Sequence, residues 1–333
     1  MPTLLIHARR GLFQLTKCQS CGHTFECENC TAKLTTYRKT YNYLELVCHQ
    51  CQSYYKYPTK CPKCGKNKVD SKYGGIENLV ELLENSLEKE VIRLDLLKDY
   101  TKLNQAVKNE EFKIKNMETT ENSTQQTAEK TIFVTTRIYD PAIPYNFFDK
   151  VVFIQAENLL ASPDYLVQEE VIKSLGEIFL QLKPEARVIF DTNTPEISFF
   201  SDLKELANPD SKEKLPQWLL SHLQKEKINR EKYDFPPFKN LLLLTTQEKT
   251  HEMAIKKLQI VYDFLHKSSA DFPEITFTSP YVAKFLKRKN LFSYHLLLKF
   301  PRNYASYNKL QKTIRGVAEL YKLQVRLNPK HLF

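Results

Sequence analysis

The sequence predicts an α/β protein in three parts: a mostly parallel sheet, a cysteine module inserted after its first strand, and a C-terminal β-α-β-β-α-β domain. Three observations carry this. Strand-like and helix-like segments alternate through the middle of the chain. Eight cysteines form four Cys-x-x-Cys pairs between Cys18 and Cys64, and none lies elsewhere. From Tyr281 to Phe333, twelve Lys and Arg stand against one acid, Glu319.

The bounds are ordinary. The chain has 333 residues, 42% hydrophobic and 26% charged, which is enough for two or three domains with their own cores. No apolar run approaches the ~18 residues of a membrane span. The opening "MPTLLIHARRG" places an apolar patch before basic residues, the reverse of a secretory signal. The expectation is a cytoplasmic protein without a membrane partner, where structural disulfides are rare.

The parallel sheet is read over residues 1–16 and 73–195. A first strand falls around "TLLIHARRGLFQL". Ile76, Leu79, Val80, Leu83 and Leu87 form a helical stripe, followed by the strand "VIRLD" (Val91–Asp95). Asn104–Lys130 is polar and aperiodic and reads as a flexible insertion. "TIFV", "KVVFI" and "RVIFD" are strands, and Tyr165–Leu182 is a helix before the last of them.

The module at 17–72 holds the cysteines. Two thiolates spaced by two residues can grip one tetrahedral Zn²⁺ from a tight turn, so four pairs predict two closed four-cysteine sites and two zinc ions per chain. Closed sites leave no position for water, so the metal braces the fold. Gly22 and Gly65 follow the first and last pairs, where such knuckles need a left-handed residue. Four disulfides, a redox motif and iron–sulfur ligation are the competing readings. His7, His23 and His49 are read as non-ligands beside so many thiols. Spacing permits either a sequential or a nested pairing of the four pairs. Ten Lys and Arg against four acids make the module +6, but each filled site contributes roughly −2, so its lysines serve largely to screen sulfur.

Residues 196–239 read as a helical linker ending before Pro236–Pro237, with Trp218 packed in a core. At 240–333 follow the strand "NLLLLTT", a helix over His251–His266, the strands "EITFTS" and "FSYHLLLKF", a helix over Tyr304–Tyr321 and the strand "LQVRLN". The whole chain is +10, and this end carries the excess. A concentrated basic surface is a polyanion footprint. Lys284, Lys287, Arg288, Lys289, Lys299 and Arg302 are the candidate DNA contacts, with Tyr294 as an aromatic one. Phe285, Phe292 and Tyr294 interleave with them and are read as base-stacking or core residues.

"ARRG" (Ala8–Gly11), the four cysteine pairs and "YGGIE" (Tyr73–Glu77) resemble the primosomal replication-restart helicases, the primosomal protein N-prime (PriA) family. Arg93 and Asp95, "REKYDFPPF" (Arg230–Phe238), "TSPYVAKFLKRKNLFSYHLLLKFP" and "VRLNP" extend the resemblance over nearly the whole chain. It implies a RecA-like second helicase lobe with an inserted two-zinc ribbon module, and a ferredoxin-like C-terminal domain similar to a small-subunit ribosomal protein. It also implies nested sites: Cys18, Cys21, Cys61 and Cys64 on one zinc, and Cys27, Cys30, Cys48 and Cys51 on the other. Arg9 and Arg10 are either surface charge or motor contacts. The implied partners are branched or single-stranded DNA and primosome or replisome proteins.

The chain departs from that family where nucleotide is handled. A phosphate-cradling loop needs G-x-x-x-x-G-K-[ST], and the single Gly-Lys is Gly65-Lys66 inside a cysteine knuckle. "VTTRIYDPAIP" (Val134–Pro144) replaces a glycine- and lysine-bearing motif, and no arginine occurs between Ile138 and Ala186, where the family carries its arginine finger. The resemblance implies a sequence that opens near the start of the second lobe. The reading is a DNA-binding protein of replication restart that binds no ATP and is inactive as a helicase by itself. The alternatives are the C-terminal half of a split helicase, completed by a separate first-lobe subunit, and a zinc-dependent chaperone module. The latter type carries C-x-x-C-x-G-x-G repeats that are missing here.

Overall fold

In the computed structural model, residues 1–9, 13–40, 43–49, 51–87, 90–94, 100–116, 131–162, 164–204, 213–288 and 290–332 are described. The first sheet is entirely parallel. Its strands are β1 (Thr3–Ile6), β7 (Glu90–Arg93), β8 (Thr131–Thr135), β9 (Lys150–Phe153) and β10 (Arg187–Phe190), in the order β10-β9-β1-β8-β7. Leu4, Phe133, Val151 and Phe153 are buried on one face, and Leu5, Ile132 and Val134 meet Ile76 on the other, so the sheet is covered on both faces, as parallel strands require.

The long first strand expected around "TLLIHARRGLFQL" is two strands. β1 stops at Ile6, and β2 (Phe13–Cys18) begins a second, antiparallel sheet with β3 (Thr35–Thr40), β4 (Tyr43–Val47), β5 (Tyr54–Lys56) and β6 (Val69–Gly74). The cysteine module's sheet therefore runs from Phe13 to Gly74, a few residues wider than 17–72 at each end, because Phe13 pairs with Gly74. His7 Nε2 donates to the Gly74 carbonyl at 3.0 Å, and the Ile76 N–H donates to the Arg9 carbonyl at 2.9 Å. The entry and exit of the module are thus tied together as helix α1 (Ile76–Ser86) starts.

The irregular insertion expected at Asn104–Lys130 is helical in its first half. Helix α2 spans Tyr100–Asn116, since Leu103 is fully buried and Tyr100, Ala106 and Val107 pack beside it at helical spacing. Residues 117–130 lie outside the described residues, as do Arg10 and Asp95.

The expected linker is part of the first core. Helix α3 (Val167–Gln181), α4 (Ser198–Lys204) and α5 (Leu215–Lys232) supply Ile172, Leu175, Phe199, Leu203, Leu215 and Trp218 to the cluster that covers β9 and β10. α5 crosses α3 at Gly176, where a Cβ would come within 2.9 Å of Leu219 Cδ2. Glu169 on α3 meets Arg230 of α5 across this contact and Lys173 one turn along its own helix.

The C-terminal sheet is antiparallel. β11 (Lys239–Glu248), α6 (His251–Lys267), β12 (Thr276–Phe277), β13 (Tyr281–Arg288), β14 (Leu291–Pro301), α7 (Tyr307–Tyr321) and β15 (Gln324–Leu327) give the order β12-β14-β11-β15, with β13 folded back on β14 as a hairpin. Alternation along β14 sends Tyr294, Leu296, Leu298 and Phe300 toward α6 and α7. Leu297 goes to the other face, where Leu241, Leu243 and Leu332 meet Tyr165 and Phe235.

Candidate metal centres and nucleic-acid surface

Each Cys-x-x-Cys pair folds into the same turn. The N–H of its first cysteine donates to the carbonyl five residues on: Cys18 to His23, Cys27 to Ala32, Cys48 to Ser53 and Cys61 to Lys66, at 2.8–3.0 Å. The N–H four residues on, from Gly22, Thr31, Gln52 or Gly65, donates back to that cysteine's carbonyl at 2.7–2.9 Å. All four of those residues have positive φ, between 59° and 72°. Glycine marked this position twice in the sequence. Thr31 and Gln52 fill it in the two inner pairs and carried no such signal.

The turns bring the eight sulfurs into two groups, Cys18, Cys21, Cys61 and Cys64 in one and Cys27, Cys30, Cys48 and Cys51 in the other, each within 4.8 Å of one another. This is the nested arrangement. The outer pairs stand at the β2–β6 end of the module's sheet, and the inner pairs flank β3 and β4. Sulfur–sulfur distances are 3.6 and 3.7 Å in the outer group and 3.4 and 3.3 Å in the inner. A disulfide needs about 2.05 Å. A regular tetrahedron of Zn–S bonds of ~2.3 Å has edges of about 3.8 Å. The donor set therefore fits a four-coordinate soft or borderline dication and leaves no ligand position open.

Each group holds one thiol that is lowered and one that is raised, Cys18 against Cys21 in the outer group and Cys51 against Cys30 in the inner. Burial pushes the Cys18 thiol up, but the N–H groups of Cys21 and Ser20 aim at its sulfur and bring its pKa down to about 6. Burial likewise raises Cys51, and Ser53 brings it down to about 6. Tyr55 Oη lies 3.2 Å from Cys27 Sγ, and Ser53 Oγ 3.1 Å from Cys51 Sγ. The groups differ in access: Cys21 is exposed, whereas Cys27, Cys30 and Cys48 are all buried. The histidines stay outside both groups. His49 Nε2 is 3.0 Å from Tyr37 Oη, His23 lies edge-on to Phe25, and His7 is the tie to Gly74.

Among the described residues, the candidate DNA contacts Lys287, Tyr294, Lys299 and Arg302 do not share one free surface. Tyr294 is 2% exposed, because its place in the β14 alternation faces the helices, and its hydroxyl is 2.5 Å from His251 Nδ1. A base cannot stack on it. Lys299 Nζ donates to the Tyr233 carbonyl at 2.5 Å and sits 4.0 Å over the Phe235 ring, so it is built into the joint between the two halves. Lys287 Nζ donates to the Glu28 carbonyl in the cysteine module at 3.2 Å. Arg302 is exposed. Lys284 and Arg288 lie on β13, with side chains outside the described residues, and Lys289 lies outside them altogether. Phe292 packs against the C-terminal core.

Within Val134–Pro144 the chain is tied together at Asp140. The Asp140 carboxylate accepts from Tyr100 Oη at 2.7 Å, Arg137 Nη1 at 2.5 Å and the Ala142 N–H at 3.0 Å. Burial opposes the charge on Asp140, but these donors hold its carboxyl below the usual range. No sequence signal marked Tyr100 and Arg137 as its partners.

The fold and the two groups of sulfurs define an α/β protein with two candidate four-thiolate metal centres. No family model matches the sequence. The chain is 23% identical over 331 residues to replication restart protein PriA of Borreliella burgdorferi, covering 96% of this chain and 44% of that protein. It is 23% identical over 318 residues to PriA of Thermotoga maritima, covering 94% of this chain and 38% of that protein. A stretch of 79 residues is 35% identical to PriA of Rickettsia prowazekii. These similarities to PriA proteins run over nearly the whole chain and are consistent with the C-terminal part of those proteins. It spans less than half the length of these relatives. Among the described residues, no helix is long and apolar enough to cross a membrane.

Proposed function

We propose that the chain is a zinc-braced, DNA-binding protein of replication restart. Zinc fills both cysteine centres, the parallel sheet is a RecA-like second-lobe scaffold, and the C-terminal domain, ferredoxin-like and akin to a ribosomal protein, contacts phosphate. The observation that carries this reading is the nested pair of four-sulfur centres in a chain similar to PriA over 96% of its length. The thiolate donors and the 3.3–3.7 Å spacings suit zinc, and the acidic clamp of Asp140 on Arg137 suits a lobe that no longer handles triphosphate. The partners are branched or single-stranded DNA and proteins of the primosome.

The test is fork-DNA binding by the purified chain across a salt series, with metal analysis and ATPase assay on the same sample. Two zinc per chain, affinity that falls steeply with salt through counterion release, and no ATP turnover above buffer are expected. Binding that ignores salt, or vigorous ATP turnover by the chain alone, overturns the reading.

A further inference from the structure

The hairpin of the C-terminal domain reaches across to the inner cysteine centre. The Lys287 N–H donates to Thr31 Oγ1 at 3.4 Å, Lys287 Nζ donates to the Glu28 carbonyl at 3.2 Å, and the Asn290 N–H donates to the Asn29 carbonyl at 3.4 Å. The acceptors belong to a single knuckle. Glu28 and Asn29 are the two residues between Cys27 and Cys30, and Thr31 is the positive-φ residue that closes the turn. Two of the three acceptors are main-chain carbonyls, so the knuckle backbone sets their direction. That backbone is in turn set by how Cys27 and Cys30 meet Cys48 and Cys51.

Charge acts in the same sense. A filled four-thiolate centre carries roughly −2, and Lys287 presents an ammonium to the knuckle that holds two of those sulfurs. The outer knuckle at Cys18–Cys21 has its polar contacts inside the module: the Gln19 N–H donates to the Lys68 carbonyl at 2.8 Å, and Gln19 Nε2 donates to Asp70 at 2.7 Å.

We propose that the inner metal centre positions the basic hairpin, with Glu28, Asn29 and Thr31 as the positioning residues that seat Lys287 and Asn290. The metal at Cys27, Cys30, Cys48 and Cys51 fixes the knuckle, and the knuckle fixes the hairpin turn. The outer centre braces only its own sheet. This rests on the two-metal reading above and adds a division of labour between the centres.

Hydrogen exchange on the full chain tests it, read at the amides of Lys287 and Asn290 in the wild type, in Cys51→Ser (inner centre) and in Cys64→Ser (outer centre), with metal content measured in each. Exchange of the hairpin should rise on the order of tenfold when the inner metal is lost and stay unchanged when the outer metal is lost. Thr31→Val, which keeps all eight sulfurs, should keep both metals and still speed exchange at Lys287, and Thr31→Ser should restore it. This second pair of variants stands even where a cysteine variant fails to fold. Hairpin protection that survives loss of the inner metal, or that falls equally on loss of the outer one, overturns the proposal. So does a Thr31→Val protein indistinguishable from wild type at Lys287. A wild-type chain without two metals overturns the functional reading instead.

Discussion

Tyr165 and Phe235 lie face to face, their ring centroids 4.9 Å apart and their planes 2° from parallel. A cation closes each end of the pair, the Arg230 guanidinium 5.6 Å from the Tyr165 ring and the Lys299 ammonium 4.0 Å from that of Phe235. The column joins the residues before α3, the residues leading into β11, and the C-terminal sheet. Beside it, Asp164 accepts the Leu332 N–H at 3.0 Å and meets His331 Nδ1 at 2.9 Å, and Tyr165 Oη donates to the Pro329 carbonyl at 3.2 Å. The chain terminus is thereby pinned to the parallel-sheet half.

Phe235→Ala removes the centre of that column. It is expected to cost about 2–4 kcal/mol, an aromatic truncation at a packed contact plus its stacking partners. Urea denaturation measures the cost. Hydrogen exchange at residues 330–332 should rise in the same protein, because the tail loses the surface it rests on. A variant as stable as wild type would show that the column is incidental.

Lys299 separates stability from nucleic-acid binding. Burial and the nearby Lys239 lower its pKa, against the pull of Asp234, so its charge belongs to the joint. Lys299→Met should lower stability by about 1 kcal/mol and leave fork-DNA affinity within about twofold. Arg302→Gln should do the reverse, weakening binding and reducing the salt slope by about one. Equal loss of DNA affinity in the two variants would contradict this assignment.

Most of the elements were legible because their periodicity is strong. Leu241–Leu244 and Leu296–Leu298 can only be buried strands, and Ile172, Leu175 and Phe179 can only face a core. Two features of the fold were hidden. The split of the first strand depends on Phe13 pairing with Gly74, a contact 61 residues apart in sequence. α2 was hidden because Tyr100, Leu103, Ala106 and Val107, which pack on the core, stand within a polar stretch. At the candidate sites, the eight cysteines announced themselves by spacing. The basic residues did not sort themselves, since a lysine over an aromatic ring and a lysine in solvent look alike in sequence. Tyr294 was ambiguous for a related reason: period-two alternation says which residues share a face, and only the packed helices say which face is buried.

The knuckles allow a clean backbone experiment. Gly22 has φ +72° with nothing within 4 Å of an added Cβ, so Gly22→Ala meets only the left-handed penalty of about 1 kcal/mol. Gln52 holds the equivalent position at φ 60°, and Gln52→Gly should be neutral or stabilising by up to about 1 kcal/mol. Competition with a colorimetric zinc chelator reads both effects, because knuckle strain opposes metal retention. The same titration should empty the outer centre before the inner one, since Cys21 is exposed and the sulfurs of Cys27, Cys30 and Cys48 are buried. Tighter metal retention in Gly22→Ala, weaker retention in Gln52→Gly, or simultaneous release of both metals would count against the shared-turn description.

His295 gives the fold a dependence on mild acid. It is 4% exposed on β14, with Nδ1 2.9 Å from Thr245 Oγ1 and its ring beside Tyr281. Burial, and then the charge of Arg326, push its pKa down from 6.5 to about 4. The folded state therefore favours the neutral ring more than the unfolded chain does. That contribution is complete above pH ~6.5 and declines as pH falls toward 4, where the folded ring also takes its proton; the total is about 3 kcal/mol. Asp140 and Glu169 act in a separate window. Despite burial, Tyr100, the Ala142 N–H and Arg137 depress Asp140, and Lys173 and Arg230 depress Glu169, so their contributions are present above the ordinary carboxylate range and fade at still lower pH. Between pH 6.5 and 4 the stability slope should thus carry close to one proton from His295. His295→Asn keeps a partner for Thr245 and cannot titrate there. Urea denaturation at half-unit steps should show its slope flatter by that proton, and an unchanged slope would remove His295 from the account.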